Sequence, residues 1–249
     1  MYRHTIKDEI PLWTAFNWSL LAFLSGSVNA GGFLACHRFV THITGFATHF
    51  GIDLVEKKYV EAFGILTVPV FFVAGAMGSA LLVERRSQQG QEPRYDAVMG
   101  LVTLCMVMVA VGGYFDWFGA FGEVAQVRTD FLFLVVLCGA SGLQNAAITS
   151  ASRGTMRSTH LTGIATDLGI GLVKYYYTPQ VDAASRERRL RVQLVRIAST
   201  VAFVLGSVAG ALLFIWYQYL GFLLPAAIAA HVTRVAWRER TRHGDSGVY

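Results

Sequence analysis

The chain has 249 residues, of which 54% are hydrophobic and only 15% charged, with a formal net charge of +5. Soluble globular domains carry about 25% charged residues, so an ordinary soluble fold is excluded and the chain belongs in a lipid bilayer. Nucleic acid is not expected as a partner either, because the basic residues flank apolar runs instead of forming one soluble basic face.

Uncharged stretches run over 10–36, 62–83, 97–115, 131–152 and 197–233, and a spanning helix needs about 20 mostly apolar residues. The first follows a charged leader, is too long for a signal-peptide core and lacks a convincing cleavage site, so it reads as a retained span. The last is too long for one crossing. It breaks near Trp216-Tyr217-Gln218-Tyr219 and Gly221, where polar and aromatic residues suit an interface. Six strong spans result. Cys36, Cys105 and Cys138 are odd in number and lie inside apolar runs, so neither a disulfide framework nor a metal clip is expected.

Between these spans lies an internal repeat. The segment THITGFATHFGIDL from Thr41 returns as THLTGIATDLGIGL from Thr159, identical at 9 of 14 positions. Upstream, Ser25-Gly26 and Asn29-Ala30 match Ser141-Gly142 and Asn145-Ala146. Downstream, FVAGAMGSALL from Phe72 matches FVLGSVAGALL from Phe203. A single membrane domain over 1–249 is expected, with repeats at 11–118 and 129–240. Their elements fall at about 11–33, 41–56, 60–84 and 95–117, then 129–150, 159–176, 190–216 and 219–239.

The two short segments decide the symmetry. Two His, three Thr and an Asp within 14 residues suit a helix buried in protein or lining a cavity better than one facing lipid. If these segments are re-entrant, each half has three crossings, and the halves point in opposite directions as an inverted repeat. The fold class is then all-α, with six transmembrane helices and two short re-entrant or broken ones. Eight crossings with parallel halves is the alternative.

Six crossings with the N-terminus inside place Arg3 and Lys7, Arg85, Arg86 and Arg94, the eight basic residues from Arg153 to Arg196, and Arg234, Arg238, Arg240 and Arg242 on the cytoplasmic side. Only Arg38, Lys57, Lys58 and Arg128 fall outside, as the positive-inside rule favours. Both models put both termini in the cytoplasm. The segment 178–189, with its Arg-rich end, reads as a soluble positive-inside loop. Trp13, Trp18, Trp117, Tyr175 to Tyr177, Trp216 and Trp237 read as interface anchors.

Polar groups inside a membrane are costly unless they face a cavity or a partner, so the repeated segments supply the candidate site. His42, Gly45, His49 and Asp53 fall near one helix face, with His160, Gly163, Asp167 and Gly171 as counterparts. Thr41 or Thr159 is placed to cap each short helix, and Thr44, Thr48, Thr162 and Thr166 add hydroxyls. Asn29, Gln144 and Asn145 offer donors and acceptors beside them. Thr hydroxyls bonded to backbone carbonyls and Gly45 and Gly163 at a tight helix contact give a purely structural alternative. The His49/Asp53 pair becomes Asp167/Gly171 in the second half, so proton chemistry would be asymmetric.

Three functions compete. The first is a secondary transporter or channel for a small polar or ionic solute, bound near the midplane where the THxTG segments meet. The second is an intramembrane zinc hydrolase using the same His and Asp residues, although no HExxH is present. The third is a non-catalytic sensor or scaffold. No nucleotide-binding loop or nucleophile motif occurs, no cofactor is expected, and an enzyme is less expected than a non-enzyme. The bilayer, the solute and a second copy of the chain are the expected partners.

SGSVNAGGF from Ser25 with THITG from Thr41, and SGLQNAAI from Ser141 with THLTG from Thr159, carry a resemblance to the YoaK-like integral membrane proteins of bacteria. Many of those proteins have Asn after the first TG, where this chain has Phe46. The resemblance implies a bacterial inner-membrane location and a transporter role, and assigns no catalytic residue.

Overall fold

The computed structural model describes residues 11–41, 43–66, 68–122, 127–156, 161–177 and 183–245, and every regular element among them is helical. In chain order these are α1 (Leu12–Cys36), α2 (Ile43–Val55), α3 (Tyr59–Leu66), α4 (Val68–Leu82), the single turn α5 (Glu84–Gln88), α6 (Tyr95–Tyr114), α7 (Val127–Ala151), α8 (Leu161–Tyr177), α9 (Ala183–Tyr217) and α10 (Leu223–Asp245). Five stretches are long and apolar enough to cross a membrane: Leu12–Cys36, Tyr59–Gln88, Tyr95–Tyr114, Phe131–Ala151 and Arg186–Arg242. The last, 57 residues long, is interrupted by a 3-10 turn at Gln218–Phe222. Gln218 there takes a φ of 50°, which L-residues avoid inside a helix.

α1 shows how such a sequence makes a helix without an amphipathic stripe. Pro11 opens it with a fixed φ of −61°, as suits a residue with no N–H to offer. Polar side chains inside it fold back on its own carbonyls: Asn17 donates to the Trp13 carbonyl at 2.8 Å and Ser25 to that of Leu21 at 3.0 Å. His37 ends the helix with a φ of 54° and an N–H bonded to the Phe33 carbonyl, a left-handed cap.

The long helices pair across the chain: α1 lies along α9, α4 along α7, and α6 along α10. Glycines set the first two crossings. A Cβ at Gly26 would strike the carbonyl of Phe203 and the amide of Ser207, and one at Gly206 the carbonyl of Phe23. A Cβ at Gly142 would strike the carbonyl of Phe72 and the amide of Ala76, and one at Gly75 the carbonyl of Gly139. Without a hydrophobic drive between helices in lipid, such close backbone approach is a main source of association. Outward-facing Val70, Val73 and Met77 on α4 and Val201, Val204, Val208 and Leu212 on α9 are exposed, the apolar coat expected of a protein solvated by lipid.

One end of the bundle is an aromatic cluster. Phe214 lies tilted against Phe222 with ring centroids 4.7 Å apart, Phe133 meets Tyr219 at 5.8 Å, and the Tyr219 hydroxyl donates to the Phe118 carbonyl at 3.4 Å. The other end is ionic. Asp96 at the start of α6, 7% exposed, accepts from Arg94 at 3.1 Å and from Arg240 of α10 at 3.2 Å. Both guanidiniums are about a third exposed, so the link is worth less than a fully buried pair. Asp96→Asn is expected to lower the stability of the detergent-solubilised protein by about 1 kcal/mol, read as a melting temperature below that of the native chain by a margin that added salt narrows.

Two expectations require correction. The segment read as a loop up to Arg189 is helical from Ala183 onwards. Arg, Glu and Ala all favour helix, and Arg191 pairs with Glu187 at 2.7 Å one turn apart. Trp18 is not an interface anchor: it is 2% exposed in the core, while Trp13, Trp117, Trp216 and Trp237 are exposed.

Candidate functional site

The polar residues that α1 and α7 carry form a buried seam. Ser25, Asn29, Thr41, Ser141, Gln144 and Asn145 are all buried. Buried amides and hydroxyls need partners, and most of these find them across elements. Asn29 Oδ1 accepts from the Thr41 hydroxyl at 2.9 Å and from the Thr41 N–H at 3.4 Å. Gln144 Nε2 donates to the Leu21 carbonyl at 2.8 Å and to Ser25 Oγ at 3.0 Å, tying α7 to α1.

The Asn29–Thr41 bond fixes where the chain goes after α1. Asn29 lies seven residues before Cys36, the last residue of α1, which is about 10 Å back along the helix axis. Residues 37–41 therefore turn and run back beside α1. Phe39 stacks on Phe33 at 4.6 Å, and the Val40 carbonyl accepts from Cys138 Sγ of α7 at 3.2 Å. Val40 is 1% exposed and packs over Gly32. α2 then has only 13 residues, about 20 Å, before the charged turn at residues 56–58. There Lys58 pairs with Glu56 at 2.7 Å, and that carboxylate holds the exposed ammonium above its ordinary pKa.

The short helices keep to their own neighbourhoods: α2 lies along α3 and touches α4, and α8 lies along α9. Besides the long-helix pairs, the irregular segment 37–41 before α2 reaches from the first half to the second, through Val40 and Cys138. Along α2 the expected common face divides. Asp53 is buried with Oδ2 unpartnered among the described residues, whereas Thr44, Thr48 and His49 are exposed. Thr48 donates to the Thr44 carbonyl at 3.1 Å and Thr166 to the Thr162 carbonyl at 3.0 Å, the back-bonding that lets hydroxyls sit on an exposed helix face. Asp167 is exposed and meets Arg196 of α9 at 3.2 Å. His42, Thr159 and His160 lie outside the described residues.

Arg196, Gln193 and Ser25 complete the seam and its surroundings, and only Ser25 carried a signal, as part of the repeated Ser-Gly pair. Gln193, buried on α9, occupies the space a side chain at Gly171 would need. In the register of the repeat Gly171 answers to Asp53 and Gln193 to Ala62. The first half thus takes its buried polar group from the short helix, and the second takes it from the long one.

This arrangement offers neutral donors and acceptors. Asn145 Oδ1 is buried without a partner among the described residues, leaving a carbonyl able to accept from a guest. Among the described residues no three His, Cys, Asp or Glu side chains group to hold a metal ion.

An all-helical bundle with an apolar coat, several membrane-length helices and an uncharged polar seam defines a multi-pass membrane protein. Over residues 18–235 the chain matches the model of a family described as protein of unknown function, DUF1275. The chain belongs to that family, which is of the kind its repeated motifs resemble. No curated protein and no solved structure matches it.

Proposed function

We propose that the chain is a secondary transporter or channel for a small polar or ionic solute, held in the bacterial inner membrane with both termini cytoplasmic. In this reading six helices cross: α1, α3 with α4, α6, α7, α9 and α10. The segments ending in α2 and α8 are re-entrant, and the halves form an inverted repeat. The observation that carries it is the length of α2, whose 13 residues fall short of the roughly 20 that a spanning helix needs, beside the Thr41–Asn29 bond that folds the preceding chain back along α1. The matching glycine crossings, α1 on α9 and α4 on α7, are what exchange of partners between two inverted halves produces.

The solute site is placed at the seam, where Asn29, Thr41, Gln144 and Asn145 provide hydrogen bonds in place of water. His49, Asp53 and Asp167 lie along the short helices as groups for proton or ion coupling. Two measurements test this. Lys57→Cys should react with an impermeant maleimide added to intact cells and Gln180→Cys should not; eight crossings leave both unreactive. Reconstituted protein should pass a small polar solute that empty vesicles retain, and absence of flux for every ion and solute under all pH gradients overturns the transport reading.

A further inference from the structure

A cavity of about 440 Å³ opens at the ionic end of the bundle, where the ends of α4 and α7 meet the start of α6. Its wall carries Glu84, Ser87, Tyr95, Thr149, Ser150 and Arg153. Neither the Glu84 carboxylate nor the Arg153 guanidinium has an ion-pair partner among the described residues. An anion and a cation therefore share one concavity without neutralising each other. Arg153 holds a φ of 51°, a backbone state that costs a non-glycine residue about 1 kcal/mol, directly before Gly154, which adopts the same region at no such cost.

The opposite end of the bundle supplies a comparison within the molecule. In the register of the repeat, Thr149 and Arg153 answer to Phe33 and His37, and Val83 and Glu84 to Phe214 and Ile215. His37 directly follows α1 with a φ of 54°, and Arg153, two residues past the end of α7, has a φ of 51°, so a left-handed residue at the same position of the repeat frames both ends. There, however, Phe214 is fully buried against Phe222, Gly31 and Gly221, and the His37 ring lies 3.3 Å from the Gly122 carbonyl. One frame is packed with rings at one end and lined with two charges and hydroxyls at the other.

We propose that this cavity binds a small water-soluble zwitterion, its ammonium at Glu84 and its carboxylate at Arg153. Both side chains are exposed, so the gain from each contact is modest, and a zwitterion that meets both at once gains two charge-assisted contacts where a solute with a single charge gains one. The volume lies within the range of small-molecule sites. The inference rests on the transport reading only for its consequence, that the site loads solute from the cytoplasm; binding itself is measured without flux.

The test uses the full chain in detergent, with Ser87→Cys as a reporter in a Cys105→Ser background; Cys36 and Cys138 are buried. L-alanine and L-leucine should slow maleimide labelling of the reporter, while propionate and ethylamine at equal concentration should not. Glu84→Gln and Arg153→Gln should each weaken that protection about tenfold, and Arg153→Lys, which keeps charge and backbone, should retain most of it. Equal protection by propionate or ethylamine, no protection by either amino acid, or indifference to both charge-removing variants overturns the proposal. Protection by glycerophosphoethanolamine alone also overturns it, assigning the cavity to a lipid headgroup. Flux without protection would sink this inference and leave the transport reading standing, and protection without flux would do the reverse.

Discussion

Gly26→Val and Gly142→Val are each expected to remove most folded protein from the membrane. The helix backbones at these crossings approach so closely that even a methyl would enter the carbonyl of Phe203 in one case and of Phe72 in the other. Backbone cannot rotate away as a side chain does, so the helices must separate. Overpacking costs typically 1–3 kcal/mol, and losing a whole crossing in lipid, where van der Waals contact is the main attraction, takes the cost to about 3 kcal/mol or more. Size-exclusion profiles of fluorescently tagged protein check this: both variants should shift to the void volume, and to similar extents. Gly169→Val is the control, since nothing lies within contact distance of a Cβ there, and its profile should match the native one. A monodisperse Gly26→Val peak would refute the proposed tightness of the crossing.

Asn29→Leu is expected to cost about 2–3 kcal/mol and to free the segment before α2. It removes the one acceptor serving both the hydroxyl and the N–H of Thr41, which is 2% exposed, and an unsatisfied buried donor costs about 1–3 kcal/mol. Thr41→Val removes only the hydroxyl and should cost about half as much. The double variant should cost less than the sum of the two, because they share one interaction. Melting temperatures give the energies, and labelling of Phe39→Cys from outside intact cells gives the structure. A reporter that labels no faster in the Asn29→Leu background would mean that the segment is held by Val40 and Cys138 and not by the amide.

The apolar runs made most of the fold legible. α1, α6 and α7 lie close to where uncharged stretches put them, and the break in the last run falls at Gln218, where polar and aromatic residues cluster. The Arg-rich start of α9 was hidden because the same residues make a good solvated loop and a good helix. What decided it was contact, with Arg186 over the Tyr175 ring at 5.2 Å and Arg196 on Asp167. The amides Asn29, Gln144 and Asn145 were visible as polar groups in apolar surroundings. Their partners were not, since Gln144 reaches a backbone carbonyl and a serine more than a hundred positions away. The division of α2 into exposed His49 and buried Asp53 depends on how α3 lies against it, and helical spacing alone carries no such information. The cavity at Glu84 and Arg153 was hidden for the same reason, because the residues that wall it come from three helix ends.

The pairing of α1 with α9 bears on how the molecule is made. The first helix enters the bilayer early in translation, but the surface against which Gly26 is shaped emerges only near the end of synthesis. Until then its bare backbone groove at Gly26 faces lipid or whatever assists insertion. α4 waits far less, since α7 follows within the same stretch of synthesis. A ribosome halted before α9 therefore holds a chain whose earliest segment is its least finished one, which makes that segment the point where quality control would act first.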